Sequence, residues 1–137
     1  MMKEKKIYQP VTSKSICHAY ELLQSKKLIS FPLTIEGERK VEAIVANINN
    51  TYFGKEIYTT SGEKAVAYLY FLIKDHPFTD GNKRTASLVF EVVCDVNGLT
   101  PNFKKFTLDQ LAVFIEKIKE DDHQKIIMEI SLTLFGE

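Results

Sequence analysis

Residues 76–84 read His-Pro-Phe-Thr-Asp-Gly-Asn-Lys-Arg and separate two apolar stretches of the 137-residue chain. The stretch before them, 61–75, is apolar on almost every side of a helix, and the stretch after them, 82–96, is also helical in pattern. Pro77 cannot continue a helix, so it ends the first one. Because a helix that is apolar all round belongs in a core, this pattern predicts a loop held between two buried helices.

The rest of the chain is also mostly helical in pattern. Further helices are predicted at 12–26, at 39–50, from Thr107 (with Gln110 as its capping box) and at about 123–134, with 28–35 as a connector and Thr60 and Glu63 as a capping box before the central helix. Gly54 stands among aromatic and β-branched residues, which indicates a short hairpin within 49–58. Connections are short, so we expect one all-α domain over 1–137, a compact helical bundle with a β-hairpin flap before the central helix. The last helix almost reaches the final residue, which leaves open that the chain is a domain of a longer protein.

Composition narrows the functional classes. Lys plus Arg and Asp plus Glu number 18 each, so the net charge is zero, and direct nucleic-acid binding is not expected. Cys17 and Cys94 lie in apolar helical patterns and are predicted to be buried free thiols of a reducing compartment. No run of about 18 apolar residues exists to cross a membrane. Residues 1–6 are charged but precede no apolar segment, so they do not resemble a signal peptide, and we expect a cytoplasmic protein.

The start of the second central helix has the properties of an anion site. Helix N-termini present unpaired N–H groups and partial positive charge. Gly81 lets the backbone approach a ligand closely. Lys83 adds a point charge, and Arg84 adds a planar fork that matches phosphate oxygens. Together they predict a cradle for a ligand with several phosphates.

Three further residues of the loop are candidates for chemistry or support. Asp80 suits a Mg²⁺ ligand, because that ion takes one or two carboxylates plus phosphate oxygens and water; a plain helix N-cap is the alternative, and both roles can coexist. His76 suits a general base for an incoming hydroxyl, with a cap on the preceding helix as the alternative. Phe78 is apolar in a polar loop and is expected to pack inward as an anchor.

The nine residues 76–84 match the signature of the Fic/Doc (Fido) family, His-x-Phe-x-[Asp/Glu/Asn]-[Gly/Ala]-Asn-[Gly/Lys]-Arg, at every defined position. The chain therefore resembles that family over a core of about 41–99. The stretch 53–58 stands where the family has its hairpin flap, and the apolar helices around the motif resemble the family's all-helical core.

The resemblance implies a role for each matching residue. His76 would be the base that acts on a target hydroxyl, and Asp80 would hold Mg²⁺. Gly81 and Asn82 would form the anion nest, and Arg84 would bind the phosphates of ATP. The reaction implied is transfer of part of the nucleotide to a Ser, Thr or Tyr of a target protein, which depends mainly on positioning and charge neutralisation.

The flap is implied to bind the target. Its residues Phe53, Gly54, Lys55, Glu56 and Ile57 would hold an extended segment of the target protein by strand-like pairing.

Lys83 bears on which part of the nucleotide is transferred. Adenylyltransferases of the family typically have Gly at this position and a second Arg three residues after the first, where this chain has Ser87. Both departures resemble the death-on-curing (Doc) toxin branch, whose nucleotide is thought to bind reversed, so that the enzyme is a protein kinase. Gly81, where that branch often has Ala, points the other way. We favour phosphorylation; AMP transfer is the first alternative, and a catalytically silent helical interaction module is the second.

A partner protein is also implied. The family is often restrained by an inhibitory helix reading [Ser/Thr]-x-x-x-Glu-[Gly/Asn], and no full match occurs here. Thr34 and Glu38 have the spacing, but Arg39 follows; Thr133 and Glu137 have it where the chain ends. We therefore expect that a separate antitoxin-like protein supplies the inhibitor.

Overall fold

The computed structural model describes residues 7–119 and 121–136, and the expectation made for residues 1–6 lies outside this range. The described residues form six helices and one hairpin, in the order α1 (Ser13–Ser25), α2 (Ile35–Asn49), β1 (Thr51–Tyr52), β2 (Lys55–Glu56), α3 (Ser61–Lys74), α4 (Asn82–Val96), α5 (Leu108–Lys117) and α6 (His123–Phe135). The expected all-α class, with a hairpin before the central helix, is confirmed.

Helix α3 lies at the centre of the bundle. It packs against α2, α4, α5 and α6, and every residue from Lys64 to Tyr70 is buried. The apolar face of α4 completes the core with Val89, Phe90 and Val93, each 0–1% exposed. Since α3 and α4 are fixed on several sides, the loop between them is held at both ends by rigid elements.

Local polar side chains decide where the helices begin. The Thr107 hydroxyl and the Gln110 side chain form the predicted capping box at α5. At α3 the Thr60 hydroxyl accepts from the Glu63 N–H, but the Glu63 carboxylate accepts from the N–H of Thr59 rather than that of Thr60. The capping box predicted there is therefore only half formed.

Helix α2 begins earlier than predicted. The Thr34 side chain caps it by accepting from the Gly37 N–H, so the helix starts at Ile35 and not at residue 39. The prediction failed because it placed a helix-breaking glycine before the helix instead of inside its first turn. Gly37 has a packing reason to be there: a Cβ at this position would lie 2.9 Å from the carbonyl oxygen of Pro77. The glycine thus lets α2 approach the loop between α3 and α4.

The hairpin is short and tightly turned. Thr51 pairs with Glu56 and Tyr52 with Lys55 in an antiparallel register. Phe53 and Gly54 form the turn, with φ angles of 52° and 76°. Positive φ at both central residues is the conformation that matches the twist of a two-residue hairpin.

The two cysteines, Cys17 and Cys94, are both free. Cys94 is buried, as expected, and burial raises the pKa of its thiol to about 12. Cys17 was also expected to be buried but is only half-buried. Across residues 7–119 and 121–136, every helix is too short or too polar to span a bilayer.

Candidate active site

The loop leaves α3 through an unusual backbone conformation. Asp75 is the C-cap of α3, and His76 follows with φ at 45°, a value that few non-glycine residues adopt. The next residue, Pro77, is buried, whereas His76 is exposed. This turn therefore sets the imidazole on the surface directly beside the end of the central helix.

Phe78 lies beneath the loop. Its side chain is 6% exposed, and its ring stacks on that of Tyr20 with 4.2 Å between the centroids. Tyr20 is fixed in turn, because its hydroxyl donates to the carbonyl oxygen of Phe31 at 2.5 Å. The contacts thus tie the middle of the loop to α1 and to the segment after it.

The Asn82 side chain braces the loop from the other end. Its amide oxygen accepts from the Phe78 N–H at 3.0 Å, and its amide nitrogen donates to the Phe78 carbonyl at 2.9 Å. The same nitrogen lies 3.4 Å from Nδ1 of His76. At this distance the contact orients the ring without fixing its protonation. The Asn82 side chain is thus committed to the loop, and only its backbone N–H, at the first residue of α4, is placed for an anion.

Gly81 is the N-cap of α4, and no side chain caps this helix. The alternative role of Asp80 as a plain N-cap is therefore wrong. The φ angle of Gly81 is 78°, and a Cβ here would lie 2.4 Å from Cδ1 of Ile29. Helical geometry leaves the first N–H groups of α4 without partners inside the helix, so the first turn presents donors and partial positive charge.

These residues surround a cavity of about 410 Å³. It is lined by Leu28, His76, Thr79, Asp80, Gly81, Asn82, Lys83, Arg84 and Glu116. The structure thus brings together all of the polar residues singled out in the loop. Phe78 is buried and does not line the cavity, and neither do the hairpin residues 53–57.

Lys83 is paired across the cavity wall. Its ammonium lies 2.7 Å from Oε2 of Glu116, near the end of α5. The hydrogen bond from Lys83 lowers the pKa of the Glu116 carboxyl, so the glutamate is ionised at neutral pH. The cavity wall therefore carries two cations, Lys83 and Arg84, and two acids, Asp80 and Glu116.

A second cavity of about 610 Å³ adjoins the first. Leu28, Lys83 and Arg84 line both, whereas His76 lines only the smaller one. Ser87 lies in the wall of the larger one. The two cavities are thus divided by the first turn of α4.

Sequence reasoning missed Leu28, Ile29 and Glu116. Leu28 and Ile29 belong to the segment read as a connector, and Glu116 lies 33 residues after its partner, on the exposed face of α5. Only the packing of α5 against α4 brings Glu116 to the site, and no local sequence pattern signals such a contact.

The acidic side chains fit a metal that is held jointly with a ligand. Within the described ranges, no cluster of three or more His, Cys, Asp or Glu residues could hold an ion by itself. A Mg²⁺ ion bound by Asp80 would therefore need phosphate oxygens and water to complete its shell, which is how this ion usually binds with nucleotides.

Comparison with known proteins identifies the family. No curated protein and no solved structure matches the chain. The family model described as Fic/DOC family matches residues 10–94, which is well over half of the chain. This span contains α1 to α3, the hairpin, the loop and most of α4, with every residue that lines the smaller cavity except Glu116. The chain therefore belongs to the Fic/DOC family.

Proposed function

We propose that the protein transfers the terminal phosphate of ATP, with Mg²⁺, to a Ser, Thr or Tyr hydroxyl of a target protein. Family membership supports a protein-modifying transferase in general. The observation that carries the proposal is the shared cavity, in which an imidazole, two carboxylates, two cations and a helix N-terminus converge within about 410 Å³. That set provides a base and an anion cradle, the two parts that phosphoryl transfer to a hydroxyl requires.

Each residue has a distinct part in this reaction. His76 takes the proton from the target hydroxyl as the hydroxyl oxygen attacks the γ-phosphorus, and the bond from that phosphorus to the β-phosphate oxygen breaks so that ADP leaves. The N–H groups of the first turn of α4 and the Arg84 guanidinium bind phosphate oxygens. Asp80 would hold Mg²⁺, which supplies charge neutralisation of the phosphates when bound. Rigid loop contacts keep these groups in place, so little reorganisation is needed during the reaction.

Two features favour phosphate over AMP transfer. Lys83 places a cation in the wall of the His76 cavity, where a Gly would leave space, and Ser87 leaves the neighbouring cavity wall without a second arginine at that position. Gly81, the feature that argues for AMP transfer, has a separate explanation in its positive φ and the side chain of Ile29. Because packing alone accounts for Gly81, it carries little weight in the choice of transferred group.

The hairpin is the proposed site for the target. Residues 53–56 are exposed, and the Phe53 side chain is fully exposed at the turn, whereas Ile57 packs against the core. Each strand has one edge with unpaired backbone groups, to which an extended segment of a target can add. An antitoxin-like inhibitor in trans is also proposed, because no full inhibitory motif occurs in the sequence: Glu38 is followed by Arg39, and Thr34 is the N-cap of α2. The proposed setting is the cytoplasm, where ATP and protein targets are both present.

The experiment compares ATP labelled at the α or the γ phosphate, incubated with the protein, Mg²⁺ and a cell extract. Label on protein from the γ position alone is expected, and it should disappear with His76→Ala. Label from the α position would show AMP transfer instead. Lys83→Gly is the matched variant for the choice between them: it should lower γ-label transfer while leaving the fold intact. If neither label is transferred, and His76→Ala makes no difference, the chain is an interaction module.

A further inference from the structure

The ion pair between Lys83 and Glu116 joins two helices at the edge of the site. Lys83 is in the first turn of α4, and Glu116 is in the last turn of α5. Among the described residues it is the shortest of three ion pairs, at 2.7 Å against 3.5 and 3.6 Å. The side chains are 42% and 36% exposed, so water screens their attraction and the pair adds little to folding stability. Its main effect is therefore expected in the smaller cavity, which both residues line.

The two cavities offer Lys83 two directions. Lys83 lines both, but Glu116 lines only the smaller one, which also contains His76. The larger cavity has two acids of its own, Glu91 and Asp109. A lysine side chain has four flexible bonds, so without a partner in the smaller cavity its ammonium is free to turn towards these acids.

We propose that Glu116 is a positioning residue: it holds the Lys83 ammonium in the His76 cavity, where that cation meets the phosphates of the ligand. An ammonium has three donors. One is used by Glu116 and two are left for phosphate oxygens. The negative charge of Glu116 lowers the attraction of the site for an anion, but the lysine is then already in place when the anion binds. The inference rests on the proposed function for the identity of the ligand, but it concerns binding and not the group transferred.

Inorganic tripolyphosphate tests the inference by binding alone, without a target protein or a transfer step. Its affinity is measured by calorimetry at low ionic strength for wild type, Glu116→Gln, Lys83→Met and the double variant. Removing a negative charge should by itself favour the anion, and the Lys83→Met background reports that effect separately. Glu116→Gln is expected to weaken binding about three- to tenfold when Lys83 is present, and to leave it unchanged or stronger in the Lys83→Met background.

Equal effects of Glu116→Gln in the two backgrounds would overturn the inference. Tighter tripolyphosphate binding by Glu116→Gln than by wild type, or no binding by wild type, would overturn it as well. Failure of the proposed function would show in the labelled-ATP experiment, as the absence of label transfer to protein. Glu129→Gln is the matched control: it removes one exposed acid from α6, outside both cavities, and should not change affinity. Adding Glu91→Gln and Asp109→Asn to Glu116→Gln should raise affinity more when Lys83 is present than in the Lys83→Met background, because the acids that compete for the ammonium are then neutral.

Discussion

The loop at 76–81 and the hairpin at 51–56 are built in opposite ways. The loop is fastened along its length: Phe78 stacks on Tyr20, Asn82 holds both backbone groups of Phe78, and Gly81 packs on Ile29. The hairpin has two residue pairs and a fully exposed turn. A two-stranded hairpin of this size is not stable alone and depends on what its base is attached to.

The base of the hairpin is attached to α3 and α6. Lys64 is only 4% exposed. Its ammonium donates to the Tyr58 carbonyl at 2.7 Å and lies 3.5 Å from the Glu56 carboxylate. The Gln124 amide donates to the Ile57 carbonyl at 3.2 Å. The two regions thus differ in where rigidity is placed. In the proposed function, the fixed loop would carry the chemistry common to all targets, and the hairpin, fixed at its base and open at its tip, would contact a particular target.

The largest expected effect is that of His76→Ala on transfer. If the imidazole is the base, its loss should lower the rate about 100- to 10,000-fold. Because the side chain is exposed, the melting temperature should stay within about 1 °C. Initial rates of label transfer and a thermal melt on the same preparation measure both, and a rate within a factor of three of wild type would remove His76 from the base role.

Asn82→Ala tests whether the rigidity of the loop depends on its side-chain brace. It leaves the Phe78 N–H and carbonyl without their partner, which should cost about 1–3 kcal/mol of unfolding free energy, measured by urea titration. Transfer should also fall, because His76 loses an orienting contact. The control is Asn97→Ala, which removes an asparagine with comparable backbone contacts far from the cavity. Similar losses of stability with lower transfer only for Asn82→Ala would support the brace.

Sequence patterns were sufficient where the structure is local. The caps at Thr60 and Thr107, the end of α3 before Pro77 and a short hairpin around Gly54 follow from neighbouring residues, and these features were predicted. The cap at Thr34 was not predicted. The same reasoning failed at Gly37, where the absence of a side chain makes room for a carbonyl 40 residues away in the sequence. The helix propensity of glycine reflects only its own backbone freedom, so it does not indicate which element packs against it.

The candidate site divides in the same way. Its loop residues are consecutive, so one motif identifies them together with their order. Glu116 and Leu28 reach the cavity from other elements, α5 and the segment after α1, and each is of a residue type common on helix surfaces or in connectors. Contacts of this kind are created by tertiary packing, so they become visible only when the helices are placed.

Lys64→Met tests the base of the hairpin. The change removes a buried donor, leaving the Tyr58 carbonyl and the Glu56 carboxylate without it, and is expected to cost about 1–2 kcal/mol of unfolding free energy. Hydrogen exchange of the amides in 51–58 should become faster, while exchange in α4 changes little. Lys64→Arg, which keeps the charge, should show a smaller effect. Uniform acceleration across the whole chain would show a general loss of stability and not release of the hairpin.

Phe53→Ser tests the tip of the hairpin and should have the smallest effect on the protein itself. The ring is fully exposed, so its removal should change the unfolding free energy by no more than about 0.5 kcal/mol. Ser adopts the positive φ of this position no less readily than Phe, so the substitution adds no new backbone strain. If the tip contacts the target, label incorporated into protein should fall severalfold while tripolyphosphate affinity stays unchanged. Equal transfer by Phe53→Ser and wild type would place target contact elsewhere on the surface. The open tip would then have no part in target binding, and its contrast with the rigid loop would have no functional meaning.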